Sequence, residues 1–133
     1  MAHIELLVRA WALLKAAQSL AAEEDIAGSA GLAYQAADLA SKALAQAIDG
    51  SDPGSHRGRM RRAQQLLNTH TDKLDFLWEL RQKDFYGDVS LGGAPGTPSN
   101  DEVREALSIV QEILSEIDHV LHRDADAGER PGQ

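Results

Sequence analysis

A histidine and four arginines crowd one short stretch of the sequence, "SHRGRMRR", although the whole chain carries a net charge of −8. Arginine offers a planar fork of N–H donors that matches phosphate oxygens, and a helix beginning here would add its positive N-terminal end. The alternative is a solvated face whose arginines pair with acidic neighbours. The candidate ligand-binding residues of this stretch are His56, Arg57, Arg59, Arg61 and Arg62.

A second stretch, "LWELRQKDFYGD", brings charged and aromatic residues together just before a glycine. Its candidate binding residues are Arg81, Lys83 and Tyr86. On an ideal helix Arg81 and Tyr86 are about 140° apart, so they converge only if the last turn unwinds, which Gly87 makes easy. In the structural alternative Asp84 pairs with Arg81 and Tyr86 packs at the helix end. The spacing alone favours that alternative.

The motifs of most nucleophilic, metal-dependent and cofactor-dependent enzymes are missing from the sequence. The chain has no cysteine, which excludes disulfides and thiolate metal sites. It has no Gly-x-Ser-x-Gly elbow, no phosphate loop and no dinucleotide fingerprint. Glu116 and His119 form one Glu-x-x-His motif, whereas di-iron bundles need two. We therefore expect neither a metal site nor a cofactor.

Length and composition indicate one globular domain. The 133 residues are 43% hydrophobic and 26% charged, which is a balance typical of soluble proteins. The net charge of −8 argues against broad, non-specific nucleic-acid binding. No apolar run approaches the ~18 residues of a membrane span, and charged residues interrupt the first apolar segment. We expect a cytoplasmic protein without membrane association.

Apolar residues recur at helical spacing almost everywhere, and no alternating pattern indicates a strand. The predicted fold class is all-α, a four- to five-helix up-and-down bundle. The bundle is expected to occupy residues 1–122, with a loop rich in glycine and proline at 88–99. Residues 123–133 are polar and are predicted to form a disordered tail.

Local signals predict where several helices begin and what the first one buries. Gly28 and Ser29 suggest a break and a new N-cap before the second helix, which Gly50 would end. The small residues of that helix would let a neighbouring helix approach closely. Ser99 and Glu102 form a capping box that opens the last helix. The predicted apolar stripe of the first helix is Ile4, Leu7, Trp11, Leu14 and Leu20.

Three stretches, in this order, resemble the HEPN domain, a helical bundle found in many prokaryotic toxin–antitoxin and nucleotidyltransferase-associated proteins. They are "AYQAADLASKALAQAIDG" in the second helix, "SHRG" at the start of the third, and "LRQKDFYGDVS" before the loop rich in glycine and proline. The resemblance extends from Ile4 to Leu121. It implies a bundle that forms a homodimer, with residues of the fourth helix lining a shared cleft.

Ribonuclease members of that family carry an arginine that binds phosphate and, four to six residues later, a histidine that serves in metal-independent cleavage. Arg81 matches this arginine, but Tyr86 stands at the histidine position and no histidine follows within that spacing. A phenol, with a reference pKa of about 10, is a poor general base at neutral pH. The resemblance therefore implies a non-catalytic partner of a small nucleotidyltransferase, or a nucleotide- or RNA-binding module.

The sequence leaves three functions open. The favoured one is a non-catalytic, homodimeric binding module for a nucleotide, RNA or a nucleotidyltransferase partner in a toxin–antitoxin-type system, and it makes the chain no enzyme. The second is a metal-independent ribonuclease that uses a degenerate motif of Arg81 and Tyr86 with help from His56. The third is a purely structural helical bundle in which the arginines pair with acidic residues and no ligand binds.

Overall fold

The computed structural model describes residues 2–67, 71–86 and 99–129, and for residues 2, 71, 80–86 and 123–129 it describes the backbone only. These residues form five helices and no strand, which confirms the all-α bundle. Each helix contacts the next one along the chain. In the described part of the chain no helix combines the length and the apolar character needed to cross a membrane. The helices are α1 (Ala2–Ala22), α2 (Ile26–Asp49), α3 (His56–Leu67), α4 (Thr71–Tyr86) and α5 (Asn100–Glu129).

Helix α2 lies at the centre of the bundle and contacts each of the other four helices. Its buried positions are mostly alanines, whose single methyl groups let neighbouring backbones approach closely. This confirms the close approach expected from the small residues of the second helix. The buried alanines of α2 are 0–3% exposed and are Ala30, Ala33, Ala36, Ala37, Ala40, Ala43 and Ala45.

The start of α2 differs from the prediction. The N-cap is Asp25, whose carboxylate accepts a hydrogen bond from the backbone N–H of Gly28 at 3.0 Å. Ser29 is therefore inside the helix, where it is fully buried and its Oγ donates to the carbonyl of Ala17 on α1 at 2.7 Å. The break predicted at Gly28 and Ser29 was wrong because Asp25 supplies the cap and Ser29 finds its partner on another helix.

The other predicted helix ends are confirmed. Gly50 ends α2 in the left-handed conformation, with φ of 74°, and its N–H donates to the carbonyl of Gln46. At the start of α5, the backbone N–H of Glu102 donates to Oγ of Ser99 at 3.1 Å, and the N–H of Ser99 donates to the Glu102 carboxylate at 3.0 Å. This is the reciprocal pair that defines a capping box.

Two termini depart from the expectations. The buried face of α1 begins at Leu7, because Ile4, in the first turn, is 47% exposed. At the other end, α5 continues to Glu129, past the tail boundary expected at residue 123. Ala125 and Ala127 favour a helix there, and neither glycine nor proline interrupts the segment before Gly128. The boundary of the domain at residue 122 stays a prediction, and most of the expected loop at 88–99 is outside the described residues.

Enlarging one central alanine should destabilise the bundle. Ala40 is fully buried in α2, so Ala40→Leu should lower the free energy of unfolding by about 1–3 kcal/mol through overpacking. The control is Ala12→Leu, the same change at an exposed position of α1, which should leave stability within about 0.5 kcal/mol. Urea denaturation of both variants measures the difference, and equal effects would contradict close packing at α2.

Candidate functional site

The turn before α3 holds the first residues of this helix in place. Oγ of Ser55 accepts a hydrogen bond from the backbone N–H of Gly58 at 3.0 Å, and its carbonyl accepts from the N–H of Arg59 at 2.9 Å. Ser55 is therefore the N-cap of α3. A Cβ atom at Gly58 would lie 2.8 Å from that Oγ and 3.1 Å from Cβ of Pro53, so a larger residue at this position would have to displace the Ser55 side chain.

Helical geometry distributes the basic residues of α3 over two faces. His56, Arg59 and Arg62 follow one another at intervals of three residues, and each meets an aspartate of α2. Arg57 and Arg61 are four residues apart and line a groove beside α4. The basic cluster of the sequence is therefore not one uniform surface.

Arg59 is fixed between two carboxylates. Its Nε and Nη2 donate to the two oxygens of Asp38 at 2.9 and 3.1 Å, and its Nη1 donates to Asp52 at 3.1 Å. The hydrogen bond to Asp38 and the charges of both carboxylates raise the pKa of Arg59 against the effect of burial. Only 12% of the Arg59 side chain is exposed. This arginine therefore joins α3 to α2 and to the turn between them.

Arg62 makes a similar but more exposed contact. Its Nε and Nη2 donate to the two oxygens of Asp49 at 2.7 Å each, and its Nη1 donates to Gln65 at 2.9 Å. The hydrogen bond between the two groups raises the pKa of Arg62 and lowers the pKa of Asp49. Both ends of α3's inner face are thus held by α2.

His56 contributes a third contact to the same aspartate that binds Arg59. Its Nδ1 lies 2.9 Å from Oδ2 of Asp38 and 3.1 Å from Nη2 of Arg59, so it donates to the carboxylate in one tautomer and accepts from the guanidinium in the other. The ring of His56 stands edge-on to the ring of Tyr34, with centroids 6.3 Å apart. Half of the His56 side chain, 51%, remains exposed. His56 is thus oriented by two residues of α2 and still accessible to a ligand.

Arg57 and Arg61 differ from the other two arginines of α3 because neither forms an ion pair within the described residues. The guanidinium carbon of Arg57 lies 5.3 Å from the centroid of the Trp78 ring, which is a cation–π distance. Both arginines line a groove of about 200 Å³ between α3 and α4. We call it the α3–α4 groove, and its lining residues are Arg57, Met60, Arg61, Gln64, Asp75 and Trp78.

A second groove lies on the other side of the first turn of α3. It has a volume of about 360 Å³ and is formed by α1, α2 and His56. We call it the α1–α2 groove, and its lining residues are Arg9, Leu13, Tyr34, Gln35, Asp38, Leu39 and His56. Within the described residues no group of three histidine, aspartate or glutamate side chains is placed to hold a metal ion.

Sequence reasoning missed four residues that help to form these grooves. Trp78 is half-buried against the core, and the guanidinium of Arg57 lies over its ring. Tyr34 is buried, yet it contacts both the His56 and the Trp78 rings. Arg9 and Asp38 gave no signal because each is an isolated charge on a helix distant in sequence. Of these four residues, only Tyr34 had a signal in the sequence, because it belongs to the "AY" that opens the stretch of α2 resembling the HEPN domain.

The candidates Arg81, Lys83 and Tyr86 lie on the last turns of α4, and their side chains are outside the described residues. The backbone stays helical through Tyr86. The positions of Arg81 and Tyr86 are therefore still about 140° apart around the helix, without the unwinding that would make them converge. The role of these three residues stays a prediction.

The chain belongs to the HEPN family. The family model for the HEPN domain matches residues 4–120, which include all five helices as far as the last turns of α5. This confirms the resemblance seen in the sequence. No curated protein and no solved structure matches the chain.

The two inner arginines of α3 should differ in their effect on stability. Arg59→Ala leaves two largely buried carboxylates without their shared partner, and we expect it to lower the free energy of unfolding by about 2 kcal/mol. Arg62→Ala removes a solvent-exposed pair and should have a much smaller effect. Urea denaturation compares the two variants, and an equal loss would show that burial does not decide the strength of these contacts.

Acid should weaken the contact of Asp52. Burial raises the pKa of Asp52, but hydrogen bonds from the Gly54 backbone and Arg59 more than offset this, so the pKa lies below its ordinary value of 3.8. A carboxyl with a lowered folded-state pKa stabilises the protein above its unfolded pKa and loses that contribution as pH falls through the folded one. Asp52→Asn should therefore be less stable than wild type at neutral pH. The difference in stability between the two proteins should become smaller below pH 3.8.

Thermal unfolding of the two proteins at neutral pH and at about pH 3 measures this change. The control is Glu23→Gln in the exposed turn between α1 and α2. The difference in stability between this variant and wild type should be the same at both pH values. A constant gap for Asp52→Asn across the same range would contradict the assignment.

Proposed function

We propose that this HEPN domain is a non-catalytic binding module whose ligand carries phosphate, as a nucleotide or RNA does. The observation that carries the proposal is the division of the arginines on α3. Asp38, Asp52 and Asp49 engage Arg59 and Arg62, while two further arginines have no carboxylate partner among the described residues. Although the chain carries a net charge of −8, both arginines line one groove, in which Asp75 is the carboxylate among the described lining residues.

The α3–α4 groove has the chemistry that a nucleotide requires. Arg57 and Arg61 offer forked donors to phosphate oxygens. Trp78 provides an aromatic surface on which the Arg57 guanidinium already lies, and a base can stack against such a pair. Gln64, which donates to Asp75 at 2.6 Å, adds a polar edge to the groove.

The non-catalytic part of the proposal rests on Tyr86. It stands where ribonuclease members of the family carry histidine, and a phenol is a poor base at neutral pH. We include in the proposal a homodimer and a nucleotidyltransferase partner in a toxin–antitoxin-type system, which are properties that the HEPN family implies. Arg81 and Lys83 on α4 would then extend the binding surface beyond α3.

Removing Arg57 and Arg61, the two arginines that line the α3–α4 groove, should abolish most ligand binding. Arg57→Ala combined with Arg61→Ala should weaken the binding of a tetrauridylate at least tenfold, measured by calorimetry. The slope of log Kd against log salt should fall by about 1.4, because each neutralised phosphate of a single strand contributes about 0.7. The control combines Lys15→Ala with Arg104→Ala, which removes two exposed charges on α1 and α5 and should leave both quantities nearly unchanged.

Two results would overturn the proposal. If wild type does not bind the tetrauridylate at low salt, the phosphate-ligand assignment fails. If the control pair of substitutions weakens binding as much as the α3 pair, binding follows net charge and not the groove. The RNA recovered from the same samples across a wide pH range, without added metal, should be intact, since cleavage would favour the ribonuclease alternative.

A further inference from the structure

We propose that the α1–α2 groove is a second subsite for the same ligand, so that the domain binds a single-stranded nucleic acid segment of two or more nucleotides in preference to a mononucleotide. This inference rests on the proposed function of the α3–α4 groove and adds to it the size of the ligand. Four observations support it: the lining of the second groove, the partly compensated aspartate within it, its position, and the volumes of both grooves.

The lining of the α1–α2 groove combines an apolar floor with a polar rim. Leu13 and Leu39, both half-buried, form apolar walls, which can receive the flat face of a base. Arg9 is exposed at the rim and can contact a phosphate. The exposed amide of Gln35 offers both donors and acceptors for a base edge, and His56 presents its second ring nitrogen.

Among the described residues that line the α1–α2 groove, Asp38 is the acidic one, and its charge is offset in part by Arg59, which also pairs with Asp52. Arg59 donates to both oxygens of Asp38, and His56 approaches one of them at 2.9 Å. A carboxylate held in this way repels a phosphate far less than a free one, since the guanidinium lies between 2.9 and 3.1 Å from its oxygens. Arg9 supplies a further positive charge at the rim of the groove.

The two grooves lie on either side of one tyrosine. The ring centroid of Tyr34 is 6.3 Å from that of His56, which lines the α1–α2 groove, and 6.5 Å from that of Trp78, which lines the α3–α4 groove. His56 and Arg57 are consecutive residues of α3 and belong to different grooves. A strand that crosses the first turn of α3 therefore reaches both.

The volumes indicate that each groove receives part of a ligand. The α3–α4 groove, at about 200 Å³, is smaller than the ~300–1,000 Å³ of most small-molecule sites, and the α1–α2 groove, at about 360 Å³, is at the lower end of that range. Two linked contacts bind more tightly than either alone because the second is intramolecular. The rest of the chain is acidic, with a net charge of −8 overall, and would repel the phosphates of a longer bound segment.

The test compares ligands of one and two nucleotides on the full chain. Calorimetric titrations of uridine 5′-monophosphate and of the 5′-phosphorylated dinucleotide pUpU are made at low salt with wild type and with Arg9→Ala. We expect wild type to bind pUpU at least tenfold more tightly than the mononucleotide. Arg9→Ala should remove most of that advantage and leave mononucleotide affinity within about twofold. Lys15→Ala, an exposed charge further along α1, is the matched control and should change neither.

The outcomes separate this inference from the proposed function. Equal affinity for both probes, or a dinucleotide affinity that Arg9→Ala does not change, overturns the two-subsite inference and leaves the α3–α4 groove as a mononucleotide site. If Arg9→Ala no longer binds the mononucleotide, the two-subsite inference is also overturned, because Arg9 would then belong to the first subsite. If neither probe binds wild type, the proposed function fails together with the inference.

Discussion

The close packing of α2 is the constraint on which the rest of the structure depends. Because its buried positions are mostly alanines, neighbouring helices can approach its backbone, and α2 contacts all four of them. Its buried serines, Ser29 and Ser41, donate to backbone carbonyls, and its charged residues are confined to the remaining surface. Tyr34, Asp38 and Asp49 are separated by four and eleven residues, intervals that place them on one side of a helix. The same packing that forms the core therefore places the two carboxylates that hold α3.

Those carboxylates decide what the basic residues of α3 do. Asp38 and Asp49 each form an ion pair with an arginine of α3, and these pairs join the two helices. Arg57 and Arg61, rotated to the other side of the same helix, have no carboxylate partner in the described ranges. An acidic protein can thus present cations at one place without a basic surface overall. The division depends on helical geometry and not on the number of arginines.

The aromatic residues connect this charge pattern to the two grooves. Tyr34 is buried against the core, and its ring contacts His56 on one side and Trp78 on the other. His56 also contacts Asp38, so its orientation is fixed by two side chains of α2. Neither groove is a separate feature of the surface, because both depend on how the first turn of α3 lies on α2.

The sequence by itself determined the features that depend on a few neighbouring residues. The helical class, the capping box of Ser99 and Glu102, and the glycine end of α2 follow from spacing and local hydrogen bonds, and all three were predicted. Only the tertiary structure decided which arginines of α3 pair with aspartates, because Arg59 and Asp38 are 21 residues apart and Arg62 and Asp49 are 13 apart. A cap can be read within one helical turn, whereas a pairing between helices depends on their relative rotation, which the packing of the whole core sets.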